Sequence, residues 1–463
     1  MSSPNARSAA PVQSGRQSPF DAKSNALQVL ETAYGRIEAE HDRNCWIHVR
    51  PFAEALDECR KLMARAQAGE HLPLLGVPFG VKDNIDVLGM PTTAACPSFS
   101  YQPARSARSV ERLVAAGAIC IGKTNLDQFA TGLSGARSPY GACATVADDS
   151  YVSGGSSSGS AVAVAAGHVV FALGTDTGGS GRIPAGFNGI VGIKPTIGRV
   201  SSRGLVPNCP TLDCVSVFCN TVQDGATILD IIEGFDTEDP YSRPAGIGAA
   251  APSSAFRFGR IAPGQLECYG MPECSALYEE ACARFTGLGG TAVEIDFAPF
   301  AEAGKMLFAG PWVAERRAAI AALTEIDTDE LLDVTKTVLR AASGFSAMDA
   351  FTAHHRLLRL RRQTQTVMAD LDALVVPTAP RPIALDDMNR DPITLNTSLG
   401  YYSYFANLLD LCAVAIPNAV LPNGIPMGVT LLAPAWSDRA LIALARRLEV
   451  NAGGAAFELI SRA

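Results

Sequence analysis

The chain has 463 residues, 48% of them hydrophobic and 18% charged, enough to bury the core of one large α/β domain. Its 38 basic and 46 acidic residues leave a net charge of −8 with no strong basic block, which argues against nucleic acid as a partner. The longest apolar run, Ala161 to Leu173, is too short to span a bilayer and contains Gly167 and His168, which argues against a membrane partner.

Residues 1–20 are rich in Ser, Pro, Ala and Arg and read as a disordered tail, so the expected domain is 21–463. From Ser24 to Glu40, Leu27, Leu30, Ala33, Tyr34 and Ile37 recur at helical spacing, and residues 52–68 predict a second amphipathic helix. Leu74–Val81 predicts a short buried strand bounded by Pro73. Ser109–Gly117 predicts a helix with a glycine stop, followed by a strand over Ala118–Ile121. A glycine- and serine-rich belt then runs to about residue 204. Clustered glycine allows close backbone approach, so function is expected in that belt. After residue 220 helices and strands alternate again, with a long helix near 350–370, a strand at Leu374–Val376 and another stretch at 427–433. Such interleaving implies an α/β layered fold. The 12 cysteines contain no C-x-x-C pair and no secretory signal is recognised, so free thiols, including the evenly spaced Cys209, Cys214 and Cys219, and a cytoplasmic location are expected.

Gly117-Ala-Ile-Cys-Ile-Gly122-Lys123-Thr124 satisfies the phosphate-loop pattern literally. Its context is wrong: a helix precedes it, and Ala-Ile-Cys-Ile are strand residues that want burial, not an amide nest around phosphate. Lys123 is expected at a strand end, as a structural or solvent-facing lysine.

Three segments carry chemistry: Gly80-Val-Lys82-Asp83-Asn84, Gly154-Gly155-Ser156-Ser157-Ser158-Gly159-Ser160, and Gly174-Thr175-Asp176-Thr177-Gly178-Gly179-Ser180-Gly181-Arg182. Glycines flanking Ser180 let a carbonyl approach its hydroxyl and leave the N–H groups of Thr177, Gly178 and Gly179 to form an oxyanion hole. A serine nucleophile needs a base. None of the six histidines lies in a recognisable motif, and His354 and His355 fall on a solvated helix face. Lys82 follows an apolar approach, and burial there would lower its pKa by disfavouring the ammonium. An ion pair with Asp83 or Asp86 is the competing role. Ser156 can relay a proton between Ser180 and Lys82, because a hydroxyl both donates and accepts. Ser157, Ser158 and Ser160 are expected to cap the helix beginning near Ser160.

Together these three segments resemble the amidase signature family, and the similarity runs from about residue 24 to residue 450. The resemblance implies an α/β/α sandwich around a large mixed β-sheet, a Ser–cis-Ser–Lys triad at Ser180, Ser156 and Lys82 with a cis peptide before Ser156, no metal or organic cofactor, and a homodimer. Gly122-Lys-Thr-Asn-Leu-Asp-Gln-Phe-Ala-Thr-Gly132-Leu, Thr211-Leu-Asp-Cys-Val-Ser, Gly310-Pro-Trp-Val-Ala-Glu-Arg316 and Asn407-Leu-Leu-Asp-Leu-Cys412 are similar to the allophanate hydrolases within that family. That likeness implies a small anionic amide substrate contacted at Gly132, Phe308 and Arg316, with the Arg316 guanidinium gripping a carboxylate through paired hydrogen bonds. Phe308 departs from a tyrosine in the subfamily pattern, which leaves biuret-type and aryl or aliphatic amides as the alternative substrates. The further C-terminal domain common in the subfamily is not expected here. The amidotransferases that work on charged tRNA are a rival that the net acidity disfavours.

Overall fold

The computed structural model describes residues 25–250, 255–325 and 329–451. The tail expected at 1–20 lies outside the described residues. Eleven strands form one sheet: β1 (Trp46–Val49), β2 (Pro78–Lys82), β3 (Ile119–Thr124), β4 (Phe171–Thr175), β5 (Val191–Lys194), β6 (Val215–Cys219), β7 (Phe256–Ile261), β8 (Gly290–Ile295), β9 (Ala373–Pro377), β10 (Leu411–Val420) and β11 (Pro426–Pro434). Their spatial order is β1-β3-β2-β4-β6-β5-β10-β11-β9-β7-β8. The sheet is mixed: β2 runs parallel to β3 and β4, β7 runs parallel to β8 and β9, and the other pairs are antiparallel.

Side-chain alternation shows why the sheet carries helices on both faces. Successive strand residues point to opposite sides. Ile119 and Ile121 of β3, Ala172 of β4 and Phe218 of β6 pack in one cluster with helices α1 (Ala26–Ala39), α2 (Phe52–Gln67) and α4 (Ser158–Ala165). Cys120, Leu173, Val215 and Val217 belong instead to the larger cluster, with α3 (Arg108–Ala115), α6 (Val222–Ile232) and the last described helix, Asp438–Asn451. A sheet covered on both sides reads as continuous apolar runs, as β3, β4 and β6 do. This is the α/β/α sandwich expected from the resemblance.

The helices expected at 24–40, 52–68, 109–117 and 350–370 are present as α1, α2, α3 and the helix Ala347–Met368. Gly117, with φ +94°, ends α3 as expected. The strand expected over Leu74–Val81 is shorter, beginning at Pro78. Gly76 adopts φ +71° and Val77 N–H bonds back to Leu74 carbonyl, so the first half of the run is a turn. The long apolar run is two elements: Gly167, at φ +70°, separates α4 from β4.

All 12 cysteines are free, and Cys209, Cys214 and Cys219 are buried. Among the described residues no helix is long and apolar enough to cross a membrane.

Candidate active site

Two parallel strands bring the site together at their C-terminal ends, the usual location of ligand sites in α/β sheets. β2 ends on Lys82, and β4 ends on Thr175 before the loop Asp176–Gly181. The segment entering α4 passes beside both, with a cis peptide bond between Gly155 and Ser156. Lys82 Nζ lies 2.8 Å from Ser156 Oγ, and Ser156 Oγ lies 2.9 Å from Ser180 Oγ. All three side chains are buried. Lys82 Nζ also donates to Thr175 Oγ1 at 2.7 Å.

No carboxylate touches Lys82 within ion-pair distance among the described residues, so neither Asp83 nor Asp86 is its partner. Burial lowers its pKa to about 7, against the more distant pull of Asp127, Asp176 and Asp213. Asp83 is taken by Lys123, whose ammonium lies 2.8 Å from Asp83 Oδ1 as a buried ion contact. Lys123 Nζ also donates to Pro91 carbonyl at 3.1 Å and Thr92 Oγ1 at 3.0 Å. Of the two roles expected for Lys123, the structural one is found.

Loop 176–182 is organised by a buried pair to which the sequence alone assigns no role. Asp176 receives Arg182 Nε at 2.9 Å and Nη2 at 3.0 Å, and the N–H groups of Gly179 at 2.7 Å and Gly181 at 3.0 Å. Burial pushes the Asp176 carboxyl up, but Arg182 and these donors outweigh it and hold it below the usual range. This corrects one expectation: the Gly179 N–H is committed to Asp176, because a dry carboxylate needs every nearby donor. The N–H groups of Thr177 and Gly178 make no hydrogen bond among the described residues.

The neighbouring serines do not cap α4, whose start has no side-chain cap. Ser157 Oγ bonds to the carbonyl and N–H of Thr175, and Ser160 Oγ bonds to Leu173 carbonyl. Their hydroxyls tie α4 to β4 because the helix start is sealed against the sheet. Ser158 Oγ has no partner among the described residues.

Beyond the loop, helix α8 (Ala298–Ala309) carries Phe308, and α9 (Trp312–Ala321) carries Arg316. The Ala- and Arg-rich run of α9 could belong to a surface helix, yet Arg316 is only 1% exposed. Its guanidinium carbon sits 4.2 Å from the centre of the Phe308 ring, and its Nε donates to Asn208 Oδ1 at 3.0 Å. Nη1 has no partner, and Arg316 has no ion pair among the described residues. A buried cation without a carboxylate is costly unless an anion is supplied from outside.

Asn208 and Asp213 link this cation to the serine loop. Asn208 N–H donates to Asp213 Oδ2 at 2.8 Å, while Asp213 Oδ1 receives Thr177 Oγ1 at 2.5 Å. Burial raises Asp213 to about 6, with these donors opposing it. Gly132 fills its place by lacking a side chain: a Cβ there would lie 2.5 Å from Asp127 Oδ2 and 3.0 Å from Arg137 Cδ.

His354 and His355 are exposed, as expected for a solvated face, and no histidine bonds to Ser156 or Ser180 among the described residues. Nor is any group of three or more His, Cys, Asp or Glu among them arranged to hold a metal ion.

The amidase family model matches residues 28–442. The chain belongs to the amidase family. It is 40% identical over 431 residues to urea amidolyase of Saccharomyces cerevisiae, covering 92% of this chain and 23% of that protein. A solved structure of Kluyveromyces lactis allophanate hydrolase superposes with a TM-score of 0.86 at 40% identity, covering 95% of this chain and 72% of that one. A glutamyl-tRNA(Gln) amidotransferase chain from Deinococcus radiodurans is 33% identical over 473 residues, covering 95% of each. The chain thus spans about a quarter of the urea amidolyases it matches.

Proposed function

We propose that this member of the amidase family hydrolyses allophanate through an acyl-enzyme on Ser180. The observation that carries the reading is a buried hydroxyl path from a depressed-pKa lysine to Ser180, with an unneutralised Arg316 joined to the same loop through Asn208 and Asp213. The naming of the K. lactis relative as an allophanate hydrolase points to the same substrate.

In this reading Arg316 holds the substrate carboxylate and presents the terminal amide carbonyl to Ser180. Neutral Lys82 accepts a proton from Ser156 as Ser156 takes one from Ser180, and the Ser180 oxygen bonds to the carbonyl carbon. The N–H groups of Thr177 and Gly178 face the developing oxyanion, each such donor worth on the order of 3 kcal/mol. Gly179 joins them only by leaving Asp176. The C–N bond breaks and ammonia leaves with a proton returned through Ser156. Water then attacks the acyl carbon by the same path, freeing Ser180 and the dicarboxylate of ammonia, which decomposes to carbon dioxide and a second ammonia. The relay asks for neither a metal nor an organic cofactor. Residues 21–463 as one catalytic unit, a homodimeric assembly and a cytoplasmic location belong to the same proposal; one continuous sheet supports the first and twelve free thiols the last.

Phe308 favours a second reading, a biuret-type or other neutral amide, because its ring offers no hydrogen bond to a carboxylate. Ammonia release by the purified chain from allophanate and from propionamide separates the two. Ser180→Ala is expected to abolish both, and Arg316→Ala to lose far more on allophanate. Equal loss on both substrates from Arg316→Ala would remove the carboxylate role.

A further inference from the structure

A second buried arginine stands near Arg316. Arg137 is 4% exposed; it donates Nη1 to Thr131 carbonyl at 2.8 Å and Nη2 to Pro392 carbonyl, while its Nε has no partner among the described residues. Burial holds its guanidinium below the usual range, Asp127 and Tyr404 act in the opposite sense, and Arg316 adds to the depression. Two dry cations that feel one another are relieved by an anion lying between them.

Tyr404 occupies the same corner. Its ring lies 4.9 Å from the Phe308 ring, centre to centre, and occupies the space that a Cβ on Gly400 would need. A Cβ on Gly178 would come within 3.2 Å of Tyr404 Cδ1, so the ring reaches the serine loop itself. The buried hydroxyl makes one long contact, 3.5 Å to Asn396 carbonyl, at the limit of a hydrogen bond. The corner therefore holds an unpaired Nη1 on Arg316, an unpaired Nε on Arg137 and a phenol whose single donor is held only by a long contact.

We propose that Tyr404 and Arg137 complete the acid-binding end of the site, the Tyr404 hydroxyl and Arg137 Nε–H joining Arg316 on the carboxylate of a small anionic amide. The donor absent from Phe308 is supplied from the neighbouring ring. The inference rests on the anionic-substrate reading and is tested apart from it. Malonate carries the carboxylate without an amide to cleave, and its binding is read by calorimetry. Tyr404→Phe is expected to weaken malonate about tenfold, the worth of one hydrogen bond to a charged group, and Arg137→Lys, which keeps the charge and loses Nε–H, by less. The selectivity of Tyr404→Phe for allophanate over propionamide, as a kcat/KM ratio, is expected to fall by a similar factor. Malonate bound as tightly by Tyr404→Phe as by the parent overturns the proposal. So does an unchanged selectivity ratio, which would mark general damage to the pocket. Malonate binding that depends on Tyr404, in a chain that releases no ammonia from allophanate, would sink the hydrolysis reading and leave this one standing.

Discussion

Lys82 and Lys123 sit side by side on adjacent parallel strands, where Lys82 is opposite Thr124 and Lys123 opposite Val81. Both are fully buried. Lys123 faces Asp83 and two oxygen acceptors; Lys82 faces only hydroxyls, those of Ser156 and Thr175. Burial alone therefore does not make a lysine a base. What also matters is whether a carboxylate lies within ion-pair distance to offset the lost hydration, and among the described residues none does at Lys82.

Exchanging each lysine for methionine breaks the comparison in opposite directions. Lys82→Met is expected to lower turnover by roughly 10⁴-fold or more, as removal of one member of a catalytic unit does. Its stability in urea should not fall, because an apolar chain of similar length replaces a desolvated amine. Lys123→Met should do the reverse. It strands the Asp83 carboxylate and costs about 3–5 kcal/mol in urea unfolding, while the folded fraction keeps the parent's pH–rate profile. Two similar stability losses would dissolve the distinction.

Two smaller effects sharpen it. A base must be deprotonated to act, so kcat/KM is expected to rise with pH through about 7, where the Lys82 ammonium loses its proton. Thr175→Val removes an acceptor that favours the charged amine. Turnover should fall about tenfold, the worth of one hydrogen bond to this group, and the midpoint of the profile should move down, not up.

Much of the site was legible because its chemistry is local: glycine around Ser180, a polar loop at Ser156 and a strand ending on Lys82 each show within ten residues. The layered α/β fold was legible in the alternation of strands and helices, whereas the sheet covered on both faces was implied by the family resemblance alone. What the sequence hid is non-local. Asp176 and Arg182 are six residues apart, but their pairing depends on a loop folded over both. Asn208 joins the site through Arg316, 108 residues later, which bonds to it. Arg316 itself was ambiguous, since α9 places alanine and arginine together without a clear apolar stripe. Capping, a local rule, is what the sequence suggests for Ser157 and Ser160, whereas their partners on β4 are 18 and 13 residues away.

The central claim concerns one proton, and it is accessible to direct observation. The chain is labelled with ¹³C at lysine Cε, the Lys82 resonance is assigned by its absence in Lys82→Met, and its shift is followed across pH. A midpoint near 7 is predicted. A Lys82 resonance that titrates near the ordinary lysine value of about 10.4 would leave Ser180 without its base and contradict the account.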